Sequence, residues 1–150
     1  MSEVTIKIRL MKSDDFDSVV EIDRKVIKDP RHEYYKYKFE RLFRSNDFLP
    51  ASLVAEDEDG TVVGFVMGEV YVGEYGISQE AATLDTIGVD LDHQHKGIGE
   101  QLMHEFFDHL KSLGVQKVNT LVGLNDPKLT RFFNANQFIP SRTINLERSL

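Results

Sequence analysis

A chain of 150 residues, 41% hydrophobic and 29% charged, is long and apolar enough to fold around a core of its own. It has no cysteine, which excludes disulfides, a thiolate nucleophile and cysteine-ligated zinc. The formal net charge of -7 argues against nucleic-acid binding and favours cationic partners such as amines; with no apolar run of membrane-spanning length and no signal-peptide pattern in MSEVTIKIRL, a soluble cytoplasmic protein is expected.

Val4, Ile6, Ile8 and Leu10 alternate with polar residues, which predicts a strand with one buried face. Ser13 reads as the N-cap of a helix whose first turn carries Asp14 and Asp15 and which continues through Phe16, Val19, Val20, Asp23 and Val26 to Asp29-Pro30. A second helix is predicted from about His32 to Arg44, with Tyr35, Phe39, Leu42 and Phe43 on one face. Arg31, Lys36, Lys38, Arg41 and Arg44 make this the one locally basic piece, either a solvated face or the border of an anionic ligand. ASLVAEDEDGTVVGFVMGEVYV reads as a hairpin turning at Asp59-Gly60.

After a loop with Gly73, Gly76 and Ser78, ATLDTIGV predicts another strand. Gly88 inside it calls for a bulge or a close backbone approach, unless it is a harmless glycine near a strand end. Ile98, Leu102, Phe106, Leu110 and Leu113 then recur at helical spacing, so a helix lies on the sheet. KVNTLVGL predicts a strand, Pro127 opens a short helix, and a final strand is expected near RTINLER. No repeat or linker divides the chain, so one domain over 1-150 is expected.

The stretch DHQHKGIGEQLM places Gly97 and Gly99 at the start of the predicted helix. Two glycines there leave backbone N-H groups uncapped and unobstructed at the positive end of the dipole, which suits an anion, although a turn that needs glycine only for geometry looks the same. Gln94, His95 and Lys96 add donors and one firm positive charge. The Walker pattern is missing, and Glu100, Gln101 and Leu102 stand where a dinucleotide fingerprint would need its third glycine. His93 and His95 form an HxH with no further ligands at a recognisable spacing, so no metal is expected.

Gln94-His95-Lys96-Gly97-Ile98-Gly99 resembles the Q/R-x-x-G-x-G/A turn of the GNAT superfamily of N-acetyltransferases, between TIGVD and a long helix. The first strand and helix, the LVAEDEDGTVVGFVMG hairpin and NDPKLTRFFNANQF follow in the family's order, so the resemblance covers essentially the whole chain. It implies an α/β fold with a mixed, mostly antiparallel, bent sheet flanked by helices. It also implies acetyl-CoA as acyl donor, an amine acceptor and, as in many similar proteins, a homodimer. The pyrophosphate would fall on Gln94, His95, Lys96, Gly97, Ile98, Gly99 and Glu100, and the pantetheine arm and thioester on backbone groups of Ile87, Gly88 and Val89. A bulge at Gly88 would aim the Val89 N-H at the thioester carbonyl. Asn125, or Asp126 beside it, matches an asparagine that contacts the cofactor. Phe133 stands where the family often has a proton-donating tyrosine, and Gln137 replaces the usual glycine before Phe138.

Acetyl transfer needs a neutral amine. For a lysine-like amine of pKa about 10.4, deprotonation at pH 7 costs roughly 4 to 5 kcal/mol. Asp85, read as lying on the same side of its strand as Ile87, is the first candidate for a base, with Glu69 and Glu74 next; each reads equally as a solvated or hydrogen-bonded carboxylate. A thiol of pKa about 8.5 leaves at a cost of only about 2 kcal/mol without an acid, so Phe133 does not preclude catalysis. The alternative is a non-catalytic acyl-CoA-binding or protein-interaction domain that keeps the fold.

Overall fold

The computed structural model describes residues 5-27, 31-44, 50-71 and 80-150. In chain order the elements are β1 (Lys7–Leu10), α1 (Phe16–Ile27), α2 (His32–Arg44), β2 (Leu53–Glu56), β3 (Val62–Tyr71), β4 (Ala81–Val89), α3 (Ile98–Ser112), β5 (Lys117–Asn119) and α4 (Pro127–Ala135). The chain forms two compact units, Met1–Thr120 and Leu121–Leu150. The first carries a five-stranded sheet in the order β1-β2-β3-β4-β5, antiparallel except for the parallel pair β4-β5. This is the mixed, mostly antiparallel α/β architecture expected.

Each sheet face has its own cover. Val19 and Ile22 of α1 and Tyr35 and Phe39 of α2 close over Val54, Phe65 and Met67. On the other face Ile98, Leu102 and Phe106 of α3 are buried at the spacing read from the sequence. The strand row beneath them is Gly64, Val66, Gly68: a Cβ on Gly64 would lie 3.1 Å from Leu102 Cδ1, and one on Gly68 2.8 Å from Phe106 Cζ. Small residues there let α3 sit close to the sheet.

At the hairpin turn, Gly60 takes φ +79° and Asp57 Oδ1 accepts the N-H groups of Asp59 and Thr61. The start of α1 differs from expectation. Residues Ser13–Asp15 form a 3-10 turn with Lys12 as its N-cap, and the Lys12 N-H donates to Asp15 Oδ2 at 2.7 Å, so Ser13 is not the cap. Asp15 is buried and held bidentately by Arg9, which also reaches Glu56. Val4, the Asp29-Pro30 stop, the loop glycines and Glu74 lie outside the described residues.

The predicted apolar face of the first strand stays partly open: Leu10 is 44% exposed, and Ile6 and Ile8 line a shallow groove with Glu100, Gln101, His104 and Glu105. The strand expected over KVNTLVGL stops at Asn119, and residues 121-124 are exposed. RTINLER is not a strand: among the described residues no strand pairs with it, and its alternation leaves Ile144 and Leu146 exposed. In the second unit, Asp126 caps α4 by accepting the Leu129 N-H, with Pro127 as first helical residue. The helix ends with Gln137 at φ +70°, Phe138 N-H donating to Phe133 O, and the rings of these two phenylalanines 5.2 Å apart. That is the left-handed stop glycine would make more easily.

Candidate active site

The site begins with the way β4 pairs. Lys117–Asn119 of β5 lie beside Ala81, Ala82 and Thr83 only, and the Thr120 hydroxyl donates to Leu84 O; from Asp85 to Val89 the outer edge of β4 has no strand partner among the described residues. On its inner side, Asp90 N-H donates to Val63 O and Val89 stands opposite Gly64. Antiparallel alternation then turns the backbone N-H and C=O of Val89 and Ile87 toward the open edge. In agreement, Val89 O accepts from Gln94 Nε2 at 3.0 Å.

A bulge is present, but not at Gly88. Gly64, Phe65, Val66 and Met67 face Val89, Gly88, Ile87 and Thr86 in regular register; Gly68 then faces Leu84, so Asp85 is the extra residue. Gly88 has another cause. A Cβ there would lie 2.8 Å from Cε1 and 3.1 Å from Cζ of Phe65, whose ring packs over the glycine and edge-on to Tyr35.

The bulge also reverses the expected side of Asp85. Ile87 pairs with Val66 in the row covered by α3, whereas Asp85 Oδ2 accepts a 2.7 Å hydrogen bond from Lys38 Nζ of α2, on the opposite face. Lys38 also donates to Glu69 Oε1 at 2.9 Å, and Arg41 Nη2 lies 3.4 Å from Glu69 Oε2. The two carboxylates picked from sequence therefore meet around one ammonium whose side chain is only 11% exposed. Burial opposes the Lys38 charge, but its bonds to Asp85 and Glu69 outweigh burial and hold its pKa above the ordinary lysine value. Tyr34, one turn earlier, has its phenol pushed up by burial.

Beside this cluster is a buried network that sequence reasoning missed. Tyr35 OH donates to Asp23 Oδ1 at 2.8 Å and lies 3.2 Å from Thr86 Oγ1, while Arg31 binds Asp23 through Nε and Nη2. Burial pushes the Tyr35 phenol well above its usual range. Three members of the basic stretch, Arg31, Lys38 and Arg41, thus face carboxylates of the protein itself. Lys38 is buried and Arg31 partly so, whereas Lys36, Arg41 and Arg44 lie exposed, as a solvated face would have them. Only the apolar positions of Asp23 and Thr86, in a helical period and an alternating strand, hinted at this network.

Past β4 the chain turns through a short 3-10 segment, Leu91–His93, into α3. His95 at φ +63° and Gly97 at φ +80° are left-handed, no side chain caps the helix, and a Cβ on Gly97 would meet nothing within 4 Å. The first helical bond at this turn runs from Gln101 N-H to Gly97 O, so the N-H groups of Ile98, Gly99 and Glu100 lack helical acceptors. Alternating left-handed residues before a bare helix start form an anion-accepting concavity. His95 and Lys96 are exposed beside it, whereas the Ile98 side chain belongs to the core and that of Glu100 lines the β1 groove. His93 Nδ1 pairs with Asp90 Oδ2, which with Lys25 holds the Asp90 carboxyl below the usual range despite partial burial. Among the described residues no group of His, Asp and Glu could hold a metal ion, and no helix is long and apolar enough to cross a membrane.

In the second unit Asn125 is exposed, and Asp126 is engaged as the α4 cap, which separates two residues that were equivalent in sequence. Phe133 is buried, with its ring against Phe132 and Phe138 and no proton to give.

The described sheet thus opens on one edge of β4, which runs into a helix start with no side-chain cap, an arrangement able to accept an anion. The chain belongs to the acetyltransferase (GNAT) family, whose pattern it matches over residues 16–138. It is similar to a mycothiol acetyltransferase of Propionibacterium freudenreichii, 30% identical over 125 residues, covering 81% of this chain and 39% of that protein. An uncharacterized N-acetyltransferase, YhbS of Escherichia coli, is 33% identical over 86 residues, covering 57% of this chain and 49% of that one. The chain thus spans less than half the length of these curated relatives. The fold matches that of the aminoglycoside N-acetyltransferase AAC(6')-Iy solved with CoA, with a TM-score of 0.78 at 14% identity, over 99% of this chain and 97% of that one.

Proposed function

We infer that this protein is an acetyl-CoA-dependent N-acetyltransferase of the cytoplasm, moving acetyl directly to a primary amine of a small molecule or a peptide. One observation carries the reading: the β4 edge, with the N-H groups of Ile87 and Val89 turned outward, leads straight to the uncapped start of α3. The turn from Gln94 to Glu100 fits a pyrophosphate, with backbone N-H groups and Lys96 as donors. Gln94 serves by bracing Val89 O.

Acetyl-CoA supplies the activated acyl group. The chain's part is to hold the thioester carbonyl against the Val89 N-H, which supports negative charge as it develops on oxygen. The acceptor ammonium gives its proton to the Asp85 carboxylate or to water held by it. The amine nitrogen then bonds to the carbonyl carbon as the C-S bond breaks, and the CoA thiolate leaves and takes up a proton. Net products are the amide, CoA thiol and one proton. Asp85, in a cluster with Glu69 around Lys38, gives the acceptor site its anionic side, consistent with a chain of net charge -7.

A non-catalytic acyl-CoA-binding domain is the second reading, favoured by Phe133 in place of a proton donor. Amine-dependent release of CoA thiol separates the two, and a protein without cysteine adds no thiol background. An aminoglycoside, a polyamine, a lysine peptide and a free peptide N-terminus form the first panel. Thiol release with any of them supports catalysis; acetyl-CoA binding without release supports the binding domain.

A further inference from the structure

The two candidate carboxylates are not equivalent. Both Glu69 oxygens are taken, Oε1 by Lys38 and Oε2 by Arg41. Asp85 gives Oδ2 to Lys38, and its Oδ1 accepts no hydrogen bond from the described residues. Asp85 is also the bulged residue of β4 and the first one past the last bond from the β5 side, Thr120 to Leu84 O. Among the described residues, the one carboxylate oxygen of the cluster that has no partner thus stands where the strand edge opens.

Lys38 decides this asymmetry. Its ammonium comes from α2, is nearly buried, and bridges two carboxylates on adjacent strands at charge-assisted distances of 2.7 and 2.9 Å. Without it, Asp85 would be a short side chain on an unpaired bulge, with only its own rotamers to aim it.

We propose that Lys38 is a positioning residue for Asp85: it anchors Oδ2 so that Oδ1 meets the acceptor amine, while Glu69 acts only by holding Lys38. The assignment rests on the acetyl-transfer reading above and deepens it. Asp85 handles the acceptor's proton, Lys38 fixes the geometry in which it does so, and Glu69 touches no substrate.

The test is a double-mutant cycle on kcat/KM for whichever amine of the panel is turned over fastest, read by thiol release. Lys38→Met and Asp85→Asn are each expected to lower it about 100-fold, the scale of a displaced or missing base. Acetyl-CoA affinity, by calorimetry, should stay within about twofold in both. Lys38→Met combined with Asp85→Asn should be no worse than Asp85→Asn alone, and Lys38→Arg should recover most of the loss. Independent losses that multiply to about 10,000-fold would overturn the assignment, because a lysine that acts only through Asp85 has nothing left to position once that carboxylate is gone. Should Lys38→Met fail to fold, Glu69→Gln decides: a loss below about tenfold fits, and a loss equal to that of Asp85→Asn overturns it. A wild type that binds acetyl-CoA and turns over no amine overturns the transfer reading itself, and this assignment with it.

Discussion

Gly88→Ala probes the strand on which the site is built. The new Cβ would sit 2.8 Å from Phe65 Cε1, 3.1 Å from Cζ and 3.6 Å from Ile22 Cγ2. Phe65 is fully buried and packs edge-on to Tyr35 with ring centroids 6.0 Å apart, so the ring has little room to yield. Overpacking of this kind costs about 1 to 3 kcal/mol, and alanine returns roughly 0.5 to 1 through its smaller backbone entropy, leaving a net loss of about 1 to 2. For a chain of this length that is a fall of roughly 3 to 6 °C in Tm. Thermal and urea unfolding of Gly88→Ala, alone and with Phe65→Leu, reads the effect. The reasoning predicts that most of the cost vanishes once the ring is gone. A neutral Gly88→Ala, or an equal cost in both backgrounds, would refute the idea that the ring demands glycine.

Two further substitutions test the supports around the sheet and the second unit. Asp15 is held below the usual carboxylate value near 3.8: burial opposes this, but hydrogen bonds from Arg9 and the Lys12 N-H outweigh it. Its stabilisation is therefore complete above the unfolded-state value and lost as pH falls through the lower folded one. Asp15→Asn should cost about 2 kcal/mol at pH 7 and flatten the acid decline of the urea midpoint; an equal offset at every pH contradicts the linkage. Gln137→Gly, at φ +70° in the stop after α4, should raise stability by about 1 kcal/mol in the same unfolding assay, and a loss would contradict strain at that residue.

Local periodicity carried much of the fold. The spacing of Ile98, Leu102, Phe106 and Leu110 announced α3, and Asp59-Gly60 announced the β2-β3 hairpin, because neighbours along the chain determine both. The bulge at Asp85 was illegible for the converse reason: a residue is extra only relative to its partner strand, and nothing in ATLDTIGV says which residue β3 will skip. With it went the side of Asp85 and the true cause of Gly88, which resides in Phe65. Lys38 and Arg41 read as a basic helix face because their carboxylate partners lie on strands far along the chain, Asp85 being 47 residues from Lys38; Arg31 finds Asp23 on the preceding helix, a pairing that neither helical period reveals. RTINLER shows the opposite failure: strand-like alternation does not make a strand without a neighbour to pair with.

The most direct measurement is calorimetric binding of acetyl-CoA to the wild type and to Gly97→Glu. Position 97 is left-handed and open, so the substitution costs about 1 to 2 kcal/mol of backbone strain without a clash, while the new carboxylate itself suits a helix start. The protein should remain folded, yet bulk and negative charge would stand where the pyrophosphate is assigned. The account predicts wild-type binding that weakens at least about 100-fold in folded Gly97→Glu. Equal affinity in the two proteins, or no binding by the wild type, would contradict the assignment of the acyl donor to this turn.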